Sequence, residues 1–442
     1  MADAYPILRL MDQRAVRLLI ADDLRRSRLT VFFRLLLAIP HLIWIALWSI
    51  AAIFAALAMW TVALLTGRPP RRLHGFLAAY VRYGTHLAAY LFLAANPFPS
   101  FTGEPGYPIE VELPPEPLEQ PRWKTALRLL LAVPALLLAT TLGSVTGGGG
   151  SWGRDGDDWS WALSGIGGVA AVCALLGWFA ILALGRMPTG LRDLAAYSIG
   201  YTAQAYAYLL LLTDRYPTSD PERAGPAWTL PEHPVRIELT DDGRRSRLTV
   251  LFRFLLALPH LVWLTLWTIP AFLAALANGF VALFLGRSAG PLHRFLAAYV
   301  RYATQVGAFL LLVANPFPGF TGGPGYPVDA VIAGPERQNR WITFFRLILV
   351  LPALLVSGAL GGAALAAAFL GWFAALATGR MPDGLRKLGA ISLRYAAQAN
   401  AYGLILTDRY PYAGPGLRPA EDERAEPDEH DPWPTFTAEA GA

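Results

Sequence analysis

The sequence predicts an all-α integral membrane protein with four internal repeats in A-B-A-B order. Each repeat is expected to be a helical hairpin followed by an amphipathic or third helix, with short β-strands before the units forming a small cytoplasmic cap. Three observations carry this expectation. The 442 residues are 55% hydrophobic and only 16% charged, with a mean hydropathy of +0.39, whereas soluble domains carry about 25% charged residues. The runs 248–285 and 341–378 hold one arginine each and are otherwise almost wholly apolar, and ~20 such residues suffice for one spanning helix. Finally, one pattern returns four times along the chain.

VRIELTDDGRRSRLTVLFRFLLALPHLVWLTLW from Val235 restates VRLLIADDLRRSRLTVFFRLLLAIPHLIWIALW from Val16 at an offset of 219. Likewise, GWFAALATGRMPDGLR from Gly371 restates GWFAILALGRMPTGLR from Gly177. Every unit opens with Arg-x5-Arg-x5-Pro: Arg28/Arg34/Pro40, Arg122/Arg128/Pro134, Arg247/Arg253/Pro259 and Arg340/Arg346/Pro352. Each then has a Gly-Arg pair, at Gly67, Gly185, Gly286 and Gly379, and closes on a proline at Pro99, Pro217, Pro318 or Pro411. The units therefore span 28–99 (A), 122–217 (B), 247–318 (A) and 340–411 (B). An N-terminal segment 1–27 precedes them, linkers 100–121, 218–246 and 319–339 separate them, and an acidic, disordered tail 412–442 is expected after them.

The proline-to-glycine spacing is 27 in three units but 51 in unit two, where GGGGSWGRDGDDWSW runs from Gly147 to Trp161. Insertions are tolerated at exposed turns, so this inserted polar loop, 143–160, predicts a hairpin tip. The matching tips fall at Ser49, Thr268 and Gly361. The proline six residues after the second arginine is expected to kink the first hairpin helix.

The third helix follows the Gly-Arg pair. It carries a polar stripe at helical spacing: Tyr83 and His86, Tyr201 and Gln204, Tyr302 and Gln305, Tyr395 and Gln398. It either spans the bilayer, giving twelve spans, or lies in the interface, giving eight. In the interfacial arrangement all the arginines face one side, which the positive-inside rule prefers; both termini are then cytoplasmic. The alternating segments VRLLI (Val16), YPIEVEL (Tyr107), VRIEL (Val235) and YPVDAVI (Tyr326) read as the strands of the cap. Residues 1–27 lack an apolar core, so no cleavable signal is expected.

The blocks RRSRLTV-x-FR-x-LLA-x-PH, YVRY and NPFP-x-FTG-x-PGYP resemble an uncharacterised bacterial multi-pass membrane family catalogued as a domain of unknown function. The resemblance is strong over 16–111 and 235–332. Units two and four depart from it: they have Ala135 and Ala353 in place of His41 and His260, and end DRYP instead of NPFP. It implies a membrane location and no particular activity.

No nucleophile elbow, zinc-protease, Walker or Rossmann motif is present, so no enzyme activity and no cofactor are expected. His41 and His260 are equivalent, as are His74 and His293, yet no carboxylate or thiolate stands at ligand spacing, and no metal is expected. Asp22–Asp23 and Asp241–Asp242 read as caps that balance the arginines after them. The basic excess, 37 Lys+Arg against 32 Asp+Glu, lies at the ends of apolar runs and does not point to nucleic acid. The ladder arginines Arg28, Arg34, Arg122, Arg128, Arg247, Arg253, Arg340 and Arg346 are instead candidates for phospholipid headgroups, anionic ones above all. A lipid-interacting or scaffolding membrane component is the leading expectation. A transporter or channel built from repeats and a membrane enzyme are the alternatives.

Overall fold

The computed structural model describes residues 16–143 and 168–417. The inserted polar stretch of unit two, the start of the N-terminal segment and most of the acidic tail lie outside the described residues. Strand β1 (Arg17–Ile20) leads into α1 (Arg28–Phe32), α2 (Arg34–Thr66) and α3 (Arg71–Leu91) of unit one. Strand β2 (Ile109–Glu112) precedes α4 (Arg122–Ala126), α5 (Arg128–Gly143), α6 (Val169–Leu184) and α7 (Thr189–Leu209) of unit two, and the short α8 (Pro221–Ala224) lies in the linker. The second half has β3 (Val235–Leu239), α9 (Arg247–Leu285) and α10 (Gly290–Leu310), then β4 (Val328–Ile332), α11 (Arg340–Thr378) and α12 (Asp383–Gly403).

In units one, three and four the expected hairpins are not formed: α2, α9 and α11 run unbroken through Ser49, Thr268 and Gly361. Ser49 and Thr268 do not turn the chain, because their hydroxyls donate to the carbonyls of Ile45 (2.6 Å) and Leu264 (2.7 Å) four residues back. Gly361 and Gly362 each cost only about 1 kcal/mol in a helix. Where surroundings are apolar, a turn would strip backbone groups of partners, and continuing the helix keeps them bonded. At 33 and 39 residues, these helices measure about 50 and 58 Å and are long and apolar enough to cross a membrane. In unit two the run is divided into α5 and α6, of 16 residues each.

Each long run ends on a glycine in the left-handed region, Gly67, Gly185, Gly286 and Gly379, with φ between 69° and 78°. That conformation is cheap only without a Cβ, which accounts for the Gly-Arg pair.

The strands form two separate sheets. β1 pairs with β2 in antiparallel register, Arg17 opposite Glu112 and Ile20 opposite Ile109, and β3 pairs with β4, Val235 opposite Ile332. The single four-stranded cap is thus corrected to one strand pair per half. Each pair is tied to its own half's third helix, by Glu110 to Arg82 (3.1 Å) and by Asp329 to Arg301 (3.4 Å).

Within each half the third helices pack on each other, α3 on α7 and α10 on α12. The halves meet through the B units. One core joins Ala135, Leu138 and Leu142 of α5 and Cys173 of α6 to Ala353, Val356, Leu360 and Ala367 of α11, a small-residue interface of the kind that lets membrane helices approach closely. The linker after unit two and the residues that follow unit four interlock across it. A Cβ at Gly190 would stand 3.0 Å from the Ala413 nitrogen, and one at Gly384 would stand 3.0 Å from that of Asp220. A side chain at either position would have to push the facing backbone aside.

Candidate functional site

The third helices end in a turn that most sequences avoid. Leu93, Leu211, Leu312 and Ile405 all have φ near +60°, which costs roughly 1–2 kcal/mol for a residue with a Cβ; for β-branched Ile405 it is an outlier. The turn exposes carbonyls at the negative end of a helix dipole, and the second ladder arginine seals it. Arg34 donates to Tyr90 O (2.7 Å) and Ala95 O (3.0 Å) and lies over the Tyr90 ring, 4.3 Å from its centroid. Arg253 repeats this with Phe309 O (2.8 Å), Ala314 O (3.2 Å) and the Phe309 ring. In the B units Arg128 reaches Gln120 and Thr213 O, and Arg346 reaches Tyr402 O, Thr407 O and Asp408.

These four guanidiniums are at most 3% exposed. The headgroup role expected of Arg34, Arg128, Arg253 and Arg346 is therefore corrected: each guanidinium is buried and donates to the protein's own backbone and side-chain oxygens, and no surface is left for a lipid phosphate.

A second set of residues, two positions before the first arginine, completes the seal and was missed from sequence. Arg26 donates to Leu93 O and Ala94 O (2.9 Å), neutralised by Asp22 at 2.7 Å. Arg245 does the same with Leu312 O, Val313 O and Asp241. In the B units Gln120 and Gln338 donate instead, to Leu211 O (2.9 Å) and Ile405 O (2.7 Å). A long polar donor at that position in all four units was the available signal.

The first ladder arginines stay exposed and reach into the neighbouring unit. Arg28 donates to Ala183 O at the end of α6, Arg247 to Ala377 O at the end of α11 and Arg340 to Phe284 O at the end of α9, each at 3.0 Å. Arg122 stands beside Gly67, where α2 ends. The exchange is reciprocal within each half. Arg26 and Gln120 also donate their backbone N–H to Gly185 O and Gly67 O, respectively.

The polar stripe is buried and bonded to the protein's own chain. Tyr83 and Tyr302 meet His41 Nδ1 (2.7 Å) and His260 Nδ1 (2.8 Å), and each imidazole lies between two phenyl rings, Phe98 and Phe101 or Phe317 and Phe320. His86 meets Glu110 at 3.2 Å, and Gln305 donates to Gly323 O at 2.7 Å. Gln204 and Gln398 accept the N–H of Thr218 and Tyr412, both at 3.0 Å, and so anchor the first residues after units two and four. Tyr201 and Tyr395 stand in the core between the halves. Burial raises the Asp193 carboxyl above its usual range; it accepts from Tyr412 of the other half at 3.2 Å. Among the described residues, no group of three or more His, Cys, Asp or Glu is placed to hold a metal ion.

An apolar cleft of about 750 Å³ opens between α2, α3, α5 and α7, lined by Leu42, Ile45, Leu91, Leu136 and Ile199 with a few hydroxyls. No curated protein and no solved structure matches the chain. The model of one family, described as Domain of unknown function (DUF4389), matches residues 28–102, 160–219, 247–321 and 340–413. With its sealed helix ends and exchanged arginines repeated through these matches, the chain belongs to the DUF4389 family and carries its domain four times.

Proposed function

We propose that the protein is a non-enzymatic, lipid-interacting or scaffolding component of the bacterial cytoplasmic membrane, with phospholipids as its direct partners. One observation carries the reading. The polar side chains of the repeat are turned inward onto the protein's own helix ends and linkers, while the long helices present leucine, isoleucine, phenylalanine and tryptophan outward. A transporter would need the Tyr/Gln stripes to line an open path; buried against linkers and strands, they favour the scaffold.

The arginine-rich segments that follow β1 and β3 lead us to place both termini and both strand pairs in the cytoplasm. Cysteines at Ala2 and Ala442 test this placement, both expected to be labelled only after permeabilisation. Labelling of either from outside overturns it.

For the function itself, the full chain is reconstituted in liposomes and assayed for proton and ion flux. Flux at the protein-free background, with phospholipid retained after detergent purification, is the expected result. Flux well above that background would favour the transport reading.

A further inference from the structure

We infer that three arginine clusters, at the seams where units exchange their helix ends, are phosphate sites for anionic membrane lipids. This rests on the lipid-interacting reading above and says where the headgroups sit.

Three isolated antiparallel bridges set arginine opposite arginine: Arg25 with Arg186, Arg244 with Arg380 and Arg287 with Arg337. Residues directly opposed in such a bridge project to the same side with Cβ atoms about 4.5–5.5 Å apart, and like charges so placed repel. A third arginine joins each pair. Arg28, Arg247 and Arg340 donate to Ala183 O, Ala377 O and Phe284 O, each three residues before the bridged Arg186, Arg380 or Arg287. All nine side chains are exposed. Among the described residues, their one carboxylate ion pair is Arg244 with Asp242 at 3.7 Å, with both side chains well exposed, an arrangement worth about 0–1 kcal/mol.

Guanidiniums suit phosphate because they can donate two parallel hydrogen bonds to it. The position selects a lipid phosphate over one free in solution. Leu29, Leu184, Leu248, Leu285 and Trp341, beside the clustered arginines in sequence, are all at least 63% exposed. A ligand with phosphate at one end and hydrocarbon at the other meets both surfaces.

The fourth seam is a built-in control. There Glu119 stands where unit four has Arg337, and it pairs with Arg68 beside Arg122. Glu119 takes the place of one of the three arginines, which leaves a single net positive charge from Arg68, Arg122 and Glu119, so that seam should hold no anion.

The test uses native mass spectrometry of the full chain in detergent with added phosphatidylglycerol, phosphatidylcholine or inorganic phosphate. Wild type should retain phosphatidylglycerol in preference to phosphatidylcholine, and tens of millimolar phosphate should not displace it. R25Q/R186Q, R244Q/R380Q and R287Q/R337Q should each lose one tightly held phosphatidylglycerol while keeping the capping arginines. E119R should gain one, a result that misfolding cannot produce. Unchanged retention in the three double variants together with no gain in E119R overturns the assignment but leaves the lipid reading standing. Displacement by free phosphate makes these simple anion sites and also overturns it. A wild type that holds no phospholipid sinks the lipid reading itself.

Discussion

In units one and three the left-handed turn after the third helix is held by two guanidiniums, one of them neutralised by a buried carboxylate. In units two and four one guanidinium and a carboxamide hold it. Arg26 and Gln120 deliver a side-chain N–H to the same place, Leu93 O in one unit and Leu211 O in the next. What changes is the charge that follows. Arg26 brings Asp22 into the interior with it, whereas Gln120 needs no counter-ion. The ladder proline shows a parallel contrast. His41 and His260 are wrapped by their own unit's phenyl rings, but Ala135 and Ala353 leave room for another helix and lie in the core between the halves. A-type units look after their own polar groups at the periphery. B-type units give up bulk where their long helices meet each other.

The sharpest way to break this comparison is at the turn. Arg26→Ala leaves Asp22 buried without its principal partner, so the loss should be about 3–5 kcal/mol. Gln120→Ala strands a carbonyl and part of the Arg128 hydrogen bonding, which costs about 1–3 kcal/mol. Thermal unfolding of the detergent-solubilised chain should show Arg26→Ala well below Gln120→Ala. Adding Asp22→Asn to Arg26→Gln imports the B-type solution and should recover much of the stability that Arg26→Gln alone loses. Equal losses at the two sites would mean that the charge difference has no energetic weight.

Next in size is the ladder position. Ala353→His forces an imidazole into a site with 0% exposure, and overpacking of that kind costs about 1–3 kcal/mol. It should also loosen the contact between the halves, seen as protease cleavage in the linker 218–246, before strand β3. His41→Ala opens a gap between two rings at the periphery and should leave the halves joined. If both variants cleave alike, the alanines are not what fits the halves together.

Much of this was legible in the sequence. The four-unit register, the glycine caps and the strands follow from local rules that each element obeys by itself. The alanines that replace histidine were visible as departures, but only the fold shows that they mark the units that touch. The hairpin reading failed at Ser49 and Thr268 because an insertion in unit two says where the chain tolerates extra residues, not that the other units turn there. The second arginines pointed to headgroups because sequence places them beside apolar residues. Their true partners are carbonyls 56 residues away, on a helix whose end no local pattern brings near.

A smaller difference should appear with pH, between the two strand pairs. Glu110 is partly buried, which raises its pKa, yet its hydrogen bonds and the charges of His86 and Arg82 outweigh burial and hold it below the usual carboxylate range. A depressed folded-state value stabilises the fold above the ordinary carboxylate pKa, about 4.3, and that stability is lost as pH falls through the folded value. Amide exchange across β1 and β2 should therefore gain relative protection above about pH 4, and Glu110→Gln should flatten the dependence. An unchanged profile in the variant would assign the effect to another group.

The smallest effect is expected from the largest deletion. Residues 144–167, the excess of unit two, separate Gly143 from Gly168, whose counterparts Gly361 and Gly362 are adjacent inside α11. Removing them restores the 27-residue spacing of the other three units and should let α5 and α6 fuse into one helix like α11. The fusion satisfies carbonyls at the end of α5 and N–H groups at the start of α6, which offsets whatever contacts the insertion makes. The deleted chain should insert, run as one monodisperse species and unfold within a few degrees of wild type. A chain that aggregates or unfolds much earlier would mean that unit two needs two helices where units three and four use one. The B units would then no longer be a single design.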